Sequence, residues 1–286
     1  MKQIYHITIM KNKALLFCSF VCVMLITLTG CKHHELTVAP PDEVIKDSAK
    51  NSTVTSLDML MSNIPTPNVL SKELSKEGSQ ENKSLLNSPD KASGYSTTFQ
   101  QAVNMGIYGA DLGYLSSYNQ MQDVLQYFTQ ISKLGTNLGI TSVFDAKLGE
   151  LFKNAATNNK DTLNALIQTS FDRAQKELYS NKRATVGTLI FAGGWIEGLY
   201  IATSLVNDPK NEKNQALYQR IWDHVYAIRY LQEALGDEKA NADCANMLKI
   251  IQPIGDISAN LTNDGPQLKD IQNLKTIVTD IRSKLI

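Results

Sequence analysis

The stretch Phe191-Ala-Gly-Gly-Trp-Ile-Glu-Gly-Leu-Tyr200 is apolar on both sides of a single carboxylate, Glu197, and it carries three glycines. A glycine inside a helix costs about 1 kcal/mol relative to alanine, so a helix with this composition needs a compensating contact. The commonest such contact is a second helix packed so closely that no side chain fits between the backbones. Room for a ligand against the backbone is the alternative. The stretch therefore predicts the central helix of the fold.

An earlier stretch, Gly106-Ile-Tyr-Gly-Ala-Asp-Leu-Gly-Tyr114, has the same ingredients. In both stretches a tyrosine follows the acid by three positions, which places acid and phenol on one side of a helix. We therefore expect two glycine-rich helices to pack together at the middle of the domain, with Asp111 matched to Glu197. The similarity is compatible with an old duplication into two four-helix halves, and also with the chance resemblance that long helical proteins show.

Helical periodicity dominates the rest of the chain. It covers residues 97–119, 122–138, 161–179, 185–206, 215–235 and 242–261, and further helical patterns follow Ser142 and run from Ile271 to Leu285. No alternating run of useful length appears. The sequence thus predicts an all-α bundle of about eight main helices in a domain at 96–286, with short helices and loops of residues 53–95 packed on it.

The N-terminal 30 residues have the composition of a targeting segment. Lys11 and Lys13 precede an apolar run from Ala14 to Thr29, which is too short for an ordinary membrane span. The run ends in Leu28-Thr29-Gly30-Cys31, which resembles the bacterial lipobox. This resemblance implies a signal peptide at 1–30 that is removed and lipid attached to Cys31. The residues that follow are polar and contain a Pro-Pro pair, so the segment 31–52 is expected to be the lipidated cysteine and a flexible tether.

Charge and cysteine content exclude several classes of protein. The whole chain has 28 basic and 28 acidic residues, and removal of residues 1–30 leaves 25 basic against 28 acidic residues. A nucleic-acid binder would need a strong basic patch, so no nucleic-acid partner is expected. Beyond Cys31 only Cys244 remains, so an intramolecular disulfide is not available, and Cys244 is expected to be a small buried apolar residue.

Four pieces of the chain resemble a family of uncharacterised Bacteroidetes lipoproteins over residues 55–285. They are Ile64-Pro-Thr-Pro67, Ser84-Leu-Leu-Asn-Ser-Pro89, Gly106–Tyr114 and Gly193–Tyr200. The resemblance implies a location in the cell envelope and one helical domain. It implies no catalytic residues.

The candidate site residues are Asp111, Tyr114, Glu197, Tyr200 and His224, the last being the one histidine of the predicted domain. A buried carboxylate must be hydrogen-bonded or paired. The simplest interpretation is that each acid accepts a hydrogen bond from a tyrosine or tryptophan and fixes helix packing. A shared interior would instead let one acid take a raised pKa, or let both hold a cation or small ligand.

No motif for a nucleotide, a metal or a nucleophilic serine occurs, so no cofactor, metal site or catalytic residue is predicted. The leading hypothesis is a non-enzymatic lipoprotein that is anchored at the outer membrane through lipid on Cys31. Its helical domain would act as a binding or scaffold module for an envelope protein or small ligand. The alternative is an envelope enzyme, or a protein that binds a small ligand or cation, using Asp111 and Glu197.

Overall fold

The computed structural model describes residues 59–60, 62, 67–76, 80–141, 143–158, 160–180, 183–206, 212–260 and 266–286. These residues contain helices and no strand, so the predicted all-α class is confirmed. The predicted signal peptide at 1–30, Cys31, the tether at 31–52 and the first residues of the 53–95 segment lie outside the described part of the chain.

The described residues form ten α-helices. They are α1 Pro67–Lys76, α2 Thr98–Ser117, α3 Met121–Asn137, α4 Ala146–Asn158, α5 Lys160–Ser180, α6 Ala184–Leu205, α7 Glu212–Tyr226, α8 Ile228–Asp237, α9 Ala242–Ala259 and α10 Leu268–Ser283. Two short 3-10 helices, Lys83–Leu85 and Pro89–Gly94, lie between α1 and α2.

Helix α1 is one of the short helices expected within the 53–95 segment. The other nine lie within 96–286, where about eight were expected, because the single helix expected at 215–235 is divided into α7 and α8 at Ala227. The Ala227 amide donates hydrogen bonds to the carbonyls of both Asp223 and His224, and the Tyr230 amide donates one to the Ala227 carbonyl. The backbone therefore tightens from α-helical to 3-10 hydrogen bonding for one turn. The proposed duplication stays a prediction.

Helices α2 and α6 are the core of the fold, and each is buried along most of its length. Helix α2 begins in a capping box, in which Thr97 and Gln100 bond each other's backbone amides. Helix α6 is also the one described helix that is long and apolar enough to cross a membrane, but most of it is buried inside the protein, as a core helix would be.

Glycines bring α2 and α6 into backbone contact. A Cβ atom added to Gly106 would lie 1.8 Å from the Ile190 carbonyl oxygen, and one added to Gly193 would lie 2.0 Å from the Val103 carbonyl oxygen. Both distances are far below van der Waals contact, so only glycine fits at either position. The close helix contact predicted from the two glycine-rich stretches is confirmed.

Candidate functional site

The close packing of α2 on α6 brings the two predicted acids together. Asp111 on α2 and Glu197 on α6 are both fully buried, and their side chains are hydrogen-bonded to each other. Two carboxylates this close cannot both be ionised at neutral pH without a large free-energy penalty. One proton must therefore be shared by the pair, and the surroundings of each acid decide where it resides.

Asp111 holds the proton. Burial raises the pKa of Asp111 well above its ordinary value, and the charge of Glu197 and the hydrogen bond to it raise that pKa further. The Asn87 amide donates to Asp111 Oδ2 at 3.1 Å, whereas Oδ1 accepts no hydrogen bond from the described residues. A protonated Oδ1 donates a hydrogen bond and does not have to accept one. The proton therefore explains why this buried atom accepts no hydrogen bond.

Glu197 is ionised because Arg282 binds it. Arg282 Nε donates to Glu197 Oε2 at 2.5 Å and Nη2 donates to Oε1 at 2.7 Å, a bidentate pair. Burial raises the pKa of Glu197, and the hydrogen bond and charge of Arg282 oppose that rise. Burial also lowers the pKa of Arg282, but the bond and charge of Glu197 outweigh it and leave the pKa raised.

The three side chains together are electrically neutral, with a protonated Asp111, an anionic Glu197 and a cationic Arg282. This matters because an unbalanced charge in a protein interior costs several kcal/mol. The guanidinium carbon of Arg282 also lies 4.2 Å from the centre of the Tyr200 ring, a cation–π contact. Tyr200 is thus linked to the carboxyl pair through Arg282.

A second layer of polar groups surrounds the carboxyl pair. Asn87 Nδ2 donates to Tyr95 Oη at 3.0 Å and to Asn104 Oδ1 at 3.2 Å. Asn104 in turn donates to the Leu285 carbonyl at 2.8 Å, which ties α2 to the C-terminal residues. Burial raises the pKa of the Tyr108 and Tyr127 phenols, so both remain neutral hydrogen-bond donors at physiological pH.

Tyr114 is not a partner of Asp111. Its hydroxyl accepts a hydrogen bond from the Asn82 amide at 2.8 Å, and its ring packs on Tyr118 with centroids 4.7 Å apart. The expectation that each acid accepts a hydrogen bond from a tyrosine hydroxyl or a tryptophan indole N–H is therefore wrong. The partners are the Asn87 amide and Arg282 instead.

His224 lies apart from the carboxyl pair. Its ring stacks on Trp195 with centroids 5.8 Å apart and an interplanar angle of 11°. Trp195 precedes Glu197 by two positions, about 200° around a helix of 3.6 residues per turn, so the two side chains leave α6 on opposite sides. Burial lowers the pKa of His224 to about 4, which keeps the imidazole neutral at pH 7.

Sequence reasoning missed Arg282, Asn87 and Asn104. A signal for Arg282 was present, because it is a basic residue next to Ile281 within the apolar seam Ile271, Leu274, Val278, Ile281 and Leu285. Asn104 likewise interrupts a buried apolar run on α2. The pairing of either residue with a particular acid depends on long-range packing, which these local patterns do not specify.

As it stands, the site fastens structural elements together. Arg282 occupies the place that a bound cation would take beside Glu197, and the described residues contain no group of three or more histidine, cysteine, aspartate or glutamate side chains placed to hold a metal. Asp111 and Glu197 have no exposed surface through which to meet a solute. The site therefore carries a neutral acid and an ion pair, both enclosed.

No protein-family model, no curated protein and no solved structure matches this chain.

Proposed function

We propose that the protein is a lipid-anchored lipoprotein of the bacterial cell envelope, held at the outer membrane, and that its helical domain is a binding or scaffold module. The observation that carries the proposal is the sequence Leu28-Thr29-Gly30-Cys31 at the end of an apolar run preceded by Lys11 and Lys13. Several acyl chains on Cys31 would give a stable anchor, since each buried methylene contributes about 0.8 kcal/mol.

The enclosed carboxyl pair supports a non-enzymatic module. A general acid or base must come within hydrogen-bonding reach of the atom it protonates or deprotonates. Asp111 and Glu197 are fully buried and bonded to each other, to Asn87 and to Arg282. In this arrangement their chemistry is used to hold α2, α6 and α10 together.

The anchor is tested by metabolic labelling with an alkyne analogue of palmitate, followed by membrane fractionation. The wild-type chain should carry the label and separate with outer-membrane markers, and mass spectrometry should place the lipid on Cys31. The Cys31→Ala variant should lose the label. The Cys18→Ala variant is the matched control, because Cys18 lies in the segment that is expected to be removed, and its mature product should be labelled normally. Undiminished labelling of Cys31→Ala would overturn the anchor.

The alternative function, an enzyme or a binder of a small ligand or cation, is supported by one observation. The raised pKa of Asp111 makes it a neutral carboxylic acid at physiological pH, a property that general acids need. This function requires the domain to open over the acid. It loses its support if Asp111→Asn leaves every ligand response and the cellular phenotype of the wild type intact.

A further inference from the structure

The residues just before α2 are held through their main chain. Residues 82–88, here called the strap, pass over α2, α3 and α10, and side chains of these helices bond its backbone at five points. They are Asn82 N–H to Tyr114 Oη at 2.8 Å, Arg282 Nη2 to the Leu85 carbonyl at 2.9 Å, Asn87 N–H to Asp111 Oδ2 at 3.1 Å, Tyr127 Oη to the Asn87 carbonyl at 2.9 Å, and Tyr108 Oη to the Ser88 carbonyl at 2.8 Å.

The side chains of the strap contribute little burial. Its 3-10 turn at Lys83–Leu85 buries no residue, Ser88 is exposed, and Leu85 and Leu86 are only half-buried. Asn87 is the one buried side chain, with 1% of its surface exposed. Apolar burial is the main term that holds most segments in place, so the attachment of the strap is unusually dependent on hydrogen bonds.

The groups that bond the strap belong to helices and not to the strap itself. Tyr108, Asp111, Tyr114, Tyr127 and Arg282, here called the main-chain groove, belong to three helices that are positioned by the core. A buried donor or acceptor without a partner costs about 1–3 kcal/mol, so the groove requires an occupant with main-chain amides and carbonyls at this spacing. Beside it, Asn104 Oδ1 and Tyr95 Oη accept hydrogen bonds from Asn87 Nδ2, which selects a side-chain N–H donor at that position. The buried Asn87 Oδ1 accepts no hydrogen bond from the described residues.

We propose that the main-chain groove is a binding site for an extended peptide segment that carries asparagine at the position of Asn87, and that the strap occupies this site in cis until a partner segment displaces it. This inference rests on the binding-module function proposed above and specifies its ligand. The groove would bond the partner's backbone at five points and its asparagine side chain through two hydrogen bonds, as it bonds the strap. Such recognition resembles strand addition in using main-chain hydrogen bonds for affinity and a pocket for specificity.

The test uses the full chain carrying Asn87→Ala and a fluorescent peptide with the sequence of residues 81–90, Glu-Asn-Lys-Ser-Leu-Leu-Asn-Ser-Pro-Asp. The substitution weakens the cis strap and leaves the groove intact. Peptide binding, measured by fluorescence anisotropy, should be saturable in the variant and at least roughly tenfold weaker in the wild type, where the strap competes. Equal binding, or none, by the folded variant overturns the proposal.

Matched controls separate main-chain recognition from unspecific adsorption. Methylation of the peptide nitrogen at its Asn87 position removes the N–H that Asp111 accepts, and should weaken binding by roughly fivefold to tenfold. Adding Tyr127→Phe to the Asn87→Ala chain removes one groove donor and should weaken binding severalfold, whereas adding Tyr226→Phe, at an exposed tyrosine, should not. Insensitivity to both the methyl group and Tyr127→Phe would overturn the proposal.

If Asn87→Ala does not fold, the wild type provides the measurement. Excess unlabelled peptide should accelerate hydrogen exchange at the Asn87 amide, because a displaced strap loses its bond to Asp111, while amides in the middle of α2 keep their rates. An unchanged Asn87 rate at saturating peptide overturns the proposal. Either negative result leaves the lipid anchor untouched, since the anchor is measured by labelling of Cys31.

Discussion

At the scale of single residues, the decisive feature is the location of one proton. Asp111 and Glu197 are equally buried, yet only Glu197 has a cationic partner. The arrangement assigns Asp111 the role of a neutral donor and Glu197 the role of an anion. This assignment makes the two acids respond very differently to the same chemical change.

The substitution Asp111→Asn should be tolerated, with a change of no more than about 1 kcal/mol in the free energy of unfolding at pH 7, because a neutral amide replaces a neutral acid. Glu197→Gln should cost about 3–5 kcal/mol, because it leaves Arg282 as a buried unpaired cation. Urea denaturation followed by circular dichroism measures both. Equal destabilisation by the two variants would contradict the assigned position of the proton.

The buried histidine predicts a loss of stability in mild acid. The ordinary pKa of histidine is 6.5 and burial lowers that of His224 to about 4, so between these values the unfolded chain binds a proton that the folded chain does not. Stability is therefore lost as pH falls from 6.5 to 4, by about 2 kcal/mol at pH 5, and no further below pH 4.

His224→Phe keeps a ring on Trp195 and removes the titrating group. The wild type should lose about 2 kcal/mol more than this variant between pH 7 and pH 5, as measured by urea denaturation at each pH. Other titrating groups, Asp111 among them, are present in both chains and cancel in the comparison. Parallel pH profiles would show that folding does not lower the pKa of His224.

The residues of the site were partly predictable from sequence. Asp111 and Glu197 stood out because each is a lone acid in an apolar helical stretch, and their meeting followed from the matched glycine patterns. Arg282 lies 85 residues beyond Glu197, so its choice of partner is set by how α10 packs on α6. Local spacing carries no information about that choice.

At the scale of elements, the contact between α2 and α6 depends on glycine positions where there is no room for a Cβ atom. Gly106→Ala should destabilise the protein by about 3 kcal/mol, because the added methyl group overlaps the Ile190 carbonyl. A helix backbone cannot relieve this overlap by changing rotamer, as a side chain could. The cost should exceed the roughly 1 kcal/mol that alanine contributes to helix propensity. Thermal or urea denaturation measures the change.

Gly149→Ala is the matched control. Gly149 also lies inside a helix, α4, but an added Cβ there meets nothing within 4 Å. This variant should be stabilised by up to about 1 kcal/mol. A Gly106→Ala variant as stable as Gly149→Ala would show that α2 and α6 are further apart than the backbone contacts indicate.

Apolar sequence patterns predict some helix boundaries and miss others. The central helix was expected at 185–206 and lies at Ala184–Leu205, because its apolar character is continuous. The break at Ala227 was not foreseen, since the apolar pattern of 215–235 crosses it without a glycine or proline. A change of hydrogen-bonding register within a helix alters the backbone and leaves the apolar spacing almost intact.

At the scale of the whole molecule, hydrogen bonds between residues distant in sequence join the C-terminal residues to the rest of the domain. Arg282 bonds the Leu85 carbonyl across 197 positions, and Asn104 bonds the Leu285 carbonyl across 181. Leu285 and Ile281 are also buried in the core. The last turn of α10 and the residues after it thus complete the polar centre and the apolar core together.

A chain that ends after Asp280 should therefore not unfold cooperatively. It would lack Arg282, which leaves Glu197 an unpaired buried anion, and it would lack the Asn104 acceptor. Circular dichroism should retain helical signal, while near-ultraviolet signal and a sharp thermal transition are lost. A chain that ends after Leu285 keeps both Arg282 and the acceptor of Asn104, and it serves as the control. A sharp transition in the shorter chain would refute the closing role of the C-terminal turn.

The ion pair between Glu197 and Arg282 also sets an order for biogenesis. While the ribosome has made α6 but not α10, Glu197 has no cation to neutralise it, so the central helix pair cannot settle into its final packing. Tight packing of α2 on α6 therefore waits for the turn of α10 that carries Arg282. For the export proposed above, such a delay would leave the central helices free to cross a membrane before they pack.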